Sequence, residues 1–359
     1  MKGLEFPTRE QCVLPEVIAR QAREQGDKTY LLFADETSWS YARTAEEAWR
    51  CGHGLLREGV QVQECVSVWA PAGPDVIRCW FGATAIGAIY APLNLAARGT
   101  YLQHMLTIAG SRVLVAHAGL LERLAGLDLP HLETIVVIGG PPQVELPYRM
   151  ISVDELADGV PVTRPQPSRA IEPWDDLSLI FTSGTTGPSK GVRASHAQQW
   201  FYDKTLLWED VGPDDRLMQA LPMFHNAGMC GTTGMLLRGG SVALVDGFQA
   251  KTFLADVRRL GATTTTLVAG MVTFLLSQPE QPDDADNPLR VAYMGPLTRV
   301  EEFTRRFGLS VFTSFGMTEA PCPLRSGLNP ANEASCGRPI DPADYEVRIV
   351  DEHDLPVAP

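Results

Sequence analysis

Nine short apolar runs, spaced by helical or turn-forming stretches, constrain this chain more than any other feature. They are CVSVWA (65–70), RVLVAH (112–117), TIVVIG (134–139), LSLIFT (177–182), RLMQAL (216–221), SVALV (241–245), TTTTLVA (263–269), RVAYMG (290–295) and LSVFTS (309–314). Strands that are apolar along their whole length, not at alternate positions, are covered on both faces. Strand–helix alternation then predicts an α/β chain built from two mostly parallel, doubly covered sheet lobes. Two intervening helices carry their own stop signals. AKTFLADVRRLG (250–261) ends at Gly261, a natural C-cap, and TRVEEFTRRFG (298–308) ends at Gly308. In the second, Thr298 and Glu301 have the spacing of a capping box.

With 359 residues, two domain-sized units are expected. The proline-rich, aperiodic segment DGVPVTRPQPSRAIEPWDD (158–176) reads as the linker between them. It divides an N-terminal lobe (1–170) from a second lobe (171–340). YEVRIVDEHDLPVAP (345–359) starts a strand and a turn, so residues 341–359 read as the start of a small β subdomain. The threonines at 263–266 alternate sides of a strand and read as structural.

Charge and composition exclude several functions. A net charge of -13 and a pI near 5.0, with no basic stripe, argue against nucleic acid as a partner. The cysteines (12, 51, 65, 79, 230, 322 and 336) are scattered and form no C-x-x-C, which fits small buried thiols in a reduced, cytoplasmic setting. No histidine pair has zinc-site spacing. The N-terminus MKGLEFPTREQCVLPEV has no apolar core of a secretory signal. The longest uncharged stretch, CWFGATAIGAIYAPLNLAA between Arg78 and Arg98, is rich in Ala and Gly and broken by Pro92 and Asn94. It predicts a buried helix followed by a turn, not a membrane span.

Chemistry concentrates in FTSGTTGPSKGV (181–192). A buried strand runs into a loop whose glycines bring backbone N–H groups close to an anion. Ser183, Thr185, Thr186 and Ser189 add hydroxyls, and Lys190 adds a mobile positive charge. The loop is neither a Walker loop, since Gly191 follows the lysine and no glycine precedes it, nor a dinucleotide G-x-G-x-x-G. A serine nucleophile elbow would need glycine where Phe181 stands. The plainer alternative is a Gly/Ser-rich surface turn, which gives the lysine and hydroxyls no task.

The stretch resembles the phosphate loop of adenylate-forming enzymes, the superfamily of acyl- and aryl-CoA synthetases, luciferases and peptide-synthetase adenylation domains. Further segments follow in the same order: TSWSYART (37–44), GAIYAPLN (87–94), LPMFHNAG (221–228), SFGMTEA (314–320), CGRPI (336–340) and YEVRIVD (345–351). The resemblance covers roughly residues 10–355 and implies the fold of the large N-terminal domain of that superfamily, two mostly parallel, doubly covered sheet lobes plus the start of a small β-barrel subdomain. It also implies two half-reactions. A carboxylate attacks the α-phosphate of ATP to give an acyl-adenylate and pyrophosphate; a thiol, usually that of coenzyme A, then displaces AMP. Bringing two anions together calls for positioning and charge neutralisation.

The same resemblance assigns roles. Thr182, Ser183, Gly184, Thr185, Thr186, Gly187 and Lys190 belong to the segment that holds the β- and γ-phosphates. Thr318 contacts the α-phosphate, and Glu319 helps bind Mg²⁺. Ser314, Phe315, Gly316 and Met317 complete the nucleotide motif, with Phe315 in the usual tyrosine position against adenine. Gly295 and Pro296 stand where relatives have Gly-Ala-Pro on adenine's other side. His225 gates the acyl carboxylate, and Phe224, Asn226, Gly228, Val268, Gly270 and Met294 are the expected acyl-pocket lining. Amino-acid-activating relatives carry a Phe-Asp pair in this region. PMFHNAG has no aspartate, which points away from an α-amino acid. The small residues point to a bulky, hydrophobic acid, and the pattern looks closest to crotonobetaine/carnitine-type and natural-product acyl-CoA ligases. A polycyclic acid such as a diterpenoid, as in platensimycin/platencin-type pathways, is the favoured example. A ligase loading a carrier protein and a non-catalytic ATP/acyl-binding module are the alternatives, and a homodimer is one open assembly. The superfamily pattern continues with a Thr-Gly-Asp segment, a hinge and a small C-terminal domain bearing an adenylation lysine. None of these occurs before Pro359. The expectation is a fragment that binds acid and nucleotide but turns over poorly.

Overall fold

A computed structural model describes residues 6–182, 189–206, 210–340 and 345–357. The apolar runs form two seven-stranded sheets. The first has the strand order Arg149–Ser152, Thr134–Ile138, Val113–His117, Cys65–Trp69, Ile89–Pro92, Asp176–Thr182, Lys190–Ser195. The second runs Ser310–Phe312, Val291–Gly295, Thr264–Val268, Arg216–Gln219, Ser241–Leu244, Thr29–Leu32, Ser38–Ser40. All neighbours pair in parallel except the last strand of each sheet, which is antiparallel. The expected α/β class with largely parallel sheets is therefore present. Strands from either side of residue 170 are shared: Thr29–Leu32 pairs in the second sheet, and Asp176–Thr182 in the first. A third, three-stranded antiparallel sheet joins Ser314–Met317, Ala320–Arg325 and Arg338–Pro339.

The sheets are joined by a continuous apolar core. Val66, Val68 and Tyr90 from the first meet Leu31, Leu217 and Val242 from the second around helices Tyr41–Arg57 and Pro74–Ala85. Trp80, Phe81, Ile77 and Leu55 are wholly buried there. Each such side chain contributes roughly 1.5–3 kcal/mol through removal from water.

Two local expectations need correction. The uncharged stretch after Arg78 is a helix only to Ala85. Gly87 turns the chain with φ +75°, and Ile89–Pro92 then runs as a strand buried on both faces. Residues in such a strand have no polar face to announce them, so the run looks like more helix. The Thr298/Glu301 capping box does not form. The helix is Val300–Phe307, preceded by Arg299 at φ +49°, and its first amides are capped from afar. The Glu333 carboxylate accepts from the N–H groups of Arg299 (3.0 Å) and Val300 (2.7 Å). Gly308 and Gly261 do close their helices in left-handed conformation.

The 158–176 segment is fastened to the body of the fold: Arg164 pairs with Glu16, and Arg9 Nε donates to the Ile171 carbonyl (2.9 Å). Among the described residues no helix is long and apolar enough to cross a membrane.

Candidate active site

A cavity of about 620 Å³ lies at the carboxyl ends of Asp176–Thr182, Thr264–Val268 and Val291–Gly295. Open α/β sheets commonly place ligands there. Of the residues expected at the site, Thr182, Lys190, His225, Asn226, Ser314, Gly316, Met317, Thr318 and Glu319 line it together.

Each reaches it for a local reason. Thr182 and Lys190 face each other as the last pair of an antiparallel hairpin. The Ser189 hydroxyl donates to the Thr182 carbonyl (2.8 Å), and His104 Nε2 donates to the Ser189 carbonyl (2.9 Å). Ser189 therefore closes the base of the loop, so its hydroxyl is committed to the fold, not free for an anion. Ser183, Gly184, Thr185, Thr186 and Gly187 lie outside the described residues. Thr318 and Glu319 form the two-residue turn of a second hairpin, closed by the Met317–Ala320 pair. Gly316 lets its strands approach: a Cβ there would stand 2.5 Å from Cys322 Sγ.

His225 is the N-cap of helix Asn226–Arg238. Its Nδ1 accepts from the Ala227 N–H (3.2 Å), which leaves Nε2 to carry the proton. The residue is exposed at the cavity wall, but partial withdrawal of its ring from water lowers its pKa below the ordinary value, and the positive end of the helix acts in the same sense. The ring is thus a neutral donor at neutral pH. Lys190 is then the one standing cation among the described lining residues.

Helix His196–Leu206 backs the hairpin. Gln198 Nε2 donates to the Thr318 carbonyl (3.0 Å), and the Tyr202 hydroxyl donates to the Ala320 carbonyl (2.7 Å). One helical turn apart, they grip both sides of Glu319. Nothing in the sequence signals either contact. Ser195 caps this helix through the Gln198 N–H (3.1 Å). His196 is buried, and its Nδ1 accepts from the Leu14 N–H (3.1 Å).

The rest of the lining differs from expectation. Tyr202, Ala227, Cys230, Gly231, Thr266, Tyr293 and Cys322 form it. Met294 points the other way, wholly buried in the second core cluster, because neighbouring strand residues face opposite sides and Tyr293 takes the cavity side. Gly228 is small for packing, not for ligand: a Cβ there would meet the Pro222 carbonyl at 2.3 Å. Val268, the last residue of its strand, and Gly270, in the helix that follows, are exposed, Phe224 is half-buried, and none of the three lines the cavity. Gly295 lies against the Tyr293 ring, where a Cβ would meet its hydroxyl at 2.5 Å. Pro296 and Phe315 are exposed outside the lining. Burial pushes the Cys322 thiol up to about 11 and the Cys230 thiol well above its usual range, so both remain protonated and uncharged.

Among the described residues no cluster of three or more His, Cys, Asp or Glu could hold a metal. One lining carboxylate, Glu319, fits a Mg²⁺ whose other ligands are waters and phosphate oxygens, the common arrangement for that ion.

The family model for AMP-binding enzymes matches residues 18–359. The chain belongs to the AMP-binding enzyme family. This AMP-binding family member is 30% identical over 340 residues to a sulfoacetate–CoA ligase of Cupriavidus necator, with 91% of the chain and 64% of that ligase covered. It is 28% identical over 350 residues to a crotonobetaine/carnitine–CoA ligase of Citrobacter koseri, covering 93% of the chain and 67% of the ligase. Its fold matches an anthranilate CoA ligase, AuaEII, solved with anthranoyl-AMP (TM-score 0.87, 23% identity, 100% of this chain and 69% of that one). The chain thus spans about two thirds of the length of these ligases.

Proposed function

We propose that this chain carries the acid- and nucleotide-binding part of an AMP-forming acyl-CoA ligase. One observation carries the reading: a single cavity joins Lys190, Thr318 and Glu319 to His225 and an uncharged floor of Tyr202, Cys230 and Cys322.

Lys190 and the hydroxyls of Thr182 and Thr318 neutralise and orient the phosphates of ATP, and Glu319 takes part in holding Mg²⁺. That ion would supply further charge neutralisation as the acid's carboxylate approaches the α-phosphate. Neutral His225 donates from Nε2 to the carboxylate without adding a charge that would hold it back. The bond formed is carboxylate oxygen to α-phosphorus; the bond broken releases pyrophosphate. Coenzyme A then attacks the acyl carbon through sulfur and releases AMP. Removing one well-placed donor of this kind typically costs ~3–4 kcal/mol in the transition state.

The acid is uncharged and apolar beyond its carboxylate. A second anionic group would need a cation at the floor, and none lines it among the described residues. The volume, within the ordinary range for ligand pockets, leaves room for a bulky acyl group.

Acid-dependent ATP–pyrophosphate exchange tests the reading, with a panel running from acetate to octanoate and a polycyclic acid. Exchange driven best by the larger apolar acids is the expected result. Exchange driven best by acetate removes the bulky-acid reading, and no exchange by the full ligase removes the enzyme reading. Adding coenzyme A and then a carrier protein identifies the acceptor.

A further inference from the structure

Behind the cavity, helices His196–Leu206 and Asn226–Arg238 share a chain of buried polar groups. Asp203 is 3% exposed, and its Oδ1 accepts from Gln199 Nε2 (2.9 Å) and from the Thr233 hydroxyl (3.0 Å). Gln199 Nε2 also donates to Cys230 Sγ (3.2 Å), and the Cys230 thiol donates to Asn226 Oδ1 (3.3 Å). Gln199 Nε2 also has the Thr233 hydroxyl oxygen within reach (3.1 Å), so its two protons are shared among Asp203, Cys230 and Thr233, while the thiol's only proton goes to Asn226. The oxygen of the Asn226 amide is therefore taken. Its Nδ2 is the group left for a ligand, one residue from His225 in the cavity wall.

A carboxyl group without a cation beside it is a costly thing to bury. Burial drives the Asp203 carboxyl well above its usual pKa, so it stays a neutral acid. A hydrophobic residue at 203 would fill this position between two helices at less cost, yet it would leave the Gln199 amide without its anchor.

We propose that Asp203 is a positioning residue for acyl recognition: through Gln199 and Cys230 it fixes the Asn226 amide with its N–H donors toward the acyl end of the ligand. The inference rests on the acid-activating reading above, and it adds a residue that touches neither acid nor nucleotide.

The test compares two probes by calorimetry: 5′-O-sulfamoyladenosine, which has only the nucleotide half, and 5′-O-(N-octanoylsulfamoyl)adenosine, which adds an apolar acyl group. The wild-type chain is expected to prefer the octanoyl probe. Asp203→Leu is expected to lose about fivefold of that preference, the equivalent of one hydrogen bond, while its affinity for sulfamoyladenosine stays within twofold. Asp203→Asn keeps a neutral acceptor at the same place and is expected to retain the preference. Asn226→Ala is expected to lose the preference to the same extent, and Asp203→Leu/Asn226→Ala to lose no more than either single change. Losses that add in the double variant overturn the proposal, as does an Asp203→Leu variant that keeps the preference or weakens both probes equally. A wild-type chain that binds sulfamoyladenosine without preferring the octanoyl probe overturns the apolar-acyl reading, and this proposal with it. No binding of either probe overturns the adenylate reading itself.

Discussion

Replacing Tyr202 with phenylalanine removes one oxygen and keeps the ring that packs with Cys230 and Cys322. The lost oxygen donates at 2.7 Å to the Ala320 carbonyl, directly after Glu319. That carbonyl is only part-buried, so water can replace the donor, and the net loss should be near the typical ~1 kcal/mol of one hydrogen bond. The hairpin carries Thr318 and Glu319, so part of this energy goes into holding them at the cavity. If all of it does, the Kd for Mg-ATP rises about fivefold, since 1.4 kcal/mol is tenfold. Gln198→Ala, which frees the Thr318 carbonyl, should act in the same direction and with similar size. Both grips act on one short hairpin, so the double variant should lose less than the sum of the two. Isothermal calorimetry with Mg-ATP reads the affinity, and urea unfolding reads the stability. Both variants binding Mg-ATP with the wild-type Kd, whatever their stability, would refute the idea that this helix holds the nucleotide motif in place.

Three other outcomes follow from the structure. Glu333→Ala removes the carboxylate that caps helix Val300–Phe307 and should cost about 1 kcal/mol, read as a lower urea midpoint. Asp215 is buried, which opposes its ionisation, but the Arg290 guanidinium and the Thr263 hydroxyl outweigh this and hold its carboxyl below the usual range. Its contribution is therefore complete above the ordinary carboxylate pKa of about 3.9 and is lost as pH falls through the lower folded value. Relative to Asp215→Asn, the wild-type chain should lose stability as pH drops below about 4, measured by urea unfolding at a series of pH values. Iodoacetamide should label Cys322 slowly at pH 7.5, because burial pushes its pKa to about 11. Bound octanoylsulfamoyladenosine should slow labelling further, as read by mass spectrometry of the Cys322 peptide.

The apolar runs were legible because burial on both faces removes every polar position from a strand, so runs such as TIVVI and VLVAH stand out. Short edge and hairpin strands were not. Lys190–Ser195 reads KGVRAS, half polar, and is held as a strand by its neighbour Asp176–Thr182. Arg149–Ser152 is likewise only partly buried at its sheet edge. In the candidate site, Thr182 and Lys190 of the loop and Ser314, Gly316, Met317, Thr318 and Glu319 of the SFGMTEA segment were legible as cavity residues, because hydroxyls, a lysine and a carboxylate gathered in such motifs have few structural uses. The acyl wall was not, because its parity along a strand and the packing of its glycines depend on neighbours far away in sequence. Met294 and Tyr293 differ by one position and face opposite sides, and the carbonyl that fills the space beside Gly228 belongs to the turn at Pro222. Gln198 and Tyr202 carry no motif; their importance arises from the hairpin 120 and 118 residues later that they touch.

Under the proposed function, nucleotide and acid share one cavity, with phosphate groups at Lys190 and Thr318 and the acyl group against Tyr202, Cys230 and Cys322. A crystal structure of the chain with 5′-O-(N-octanoylsulfamoyl)adenosine tests this most directly. The expected result has the sulfamoyl group beside Thr318, His225 Nε2 within hydrogen-bond reach of the acyl oxygen, and the octanoyl chain on the Tyr202–Cys230–Cys322 floor. An octanoyl chain lying outward along Val268 and Gly270, or an adenosine bound away from the Thr318–Glu319 turn, would contradict it.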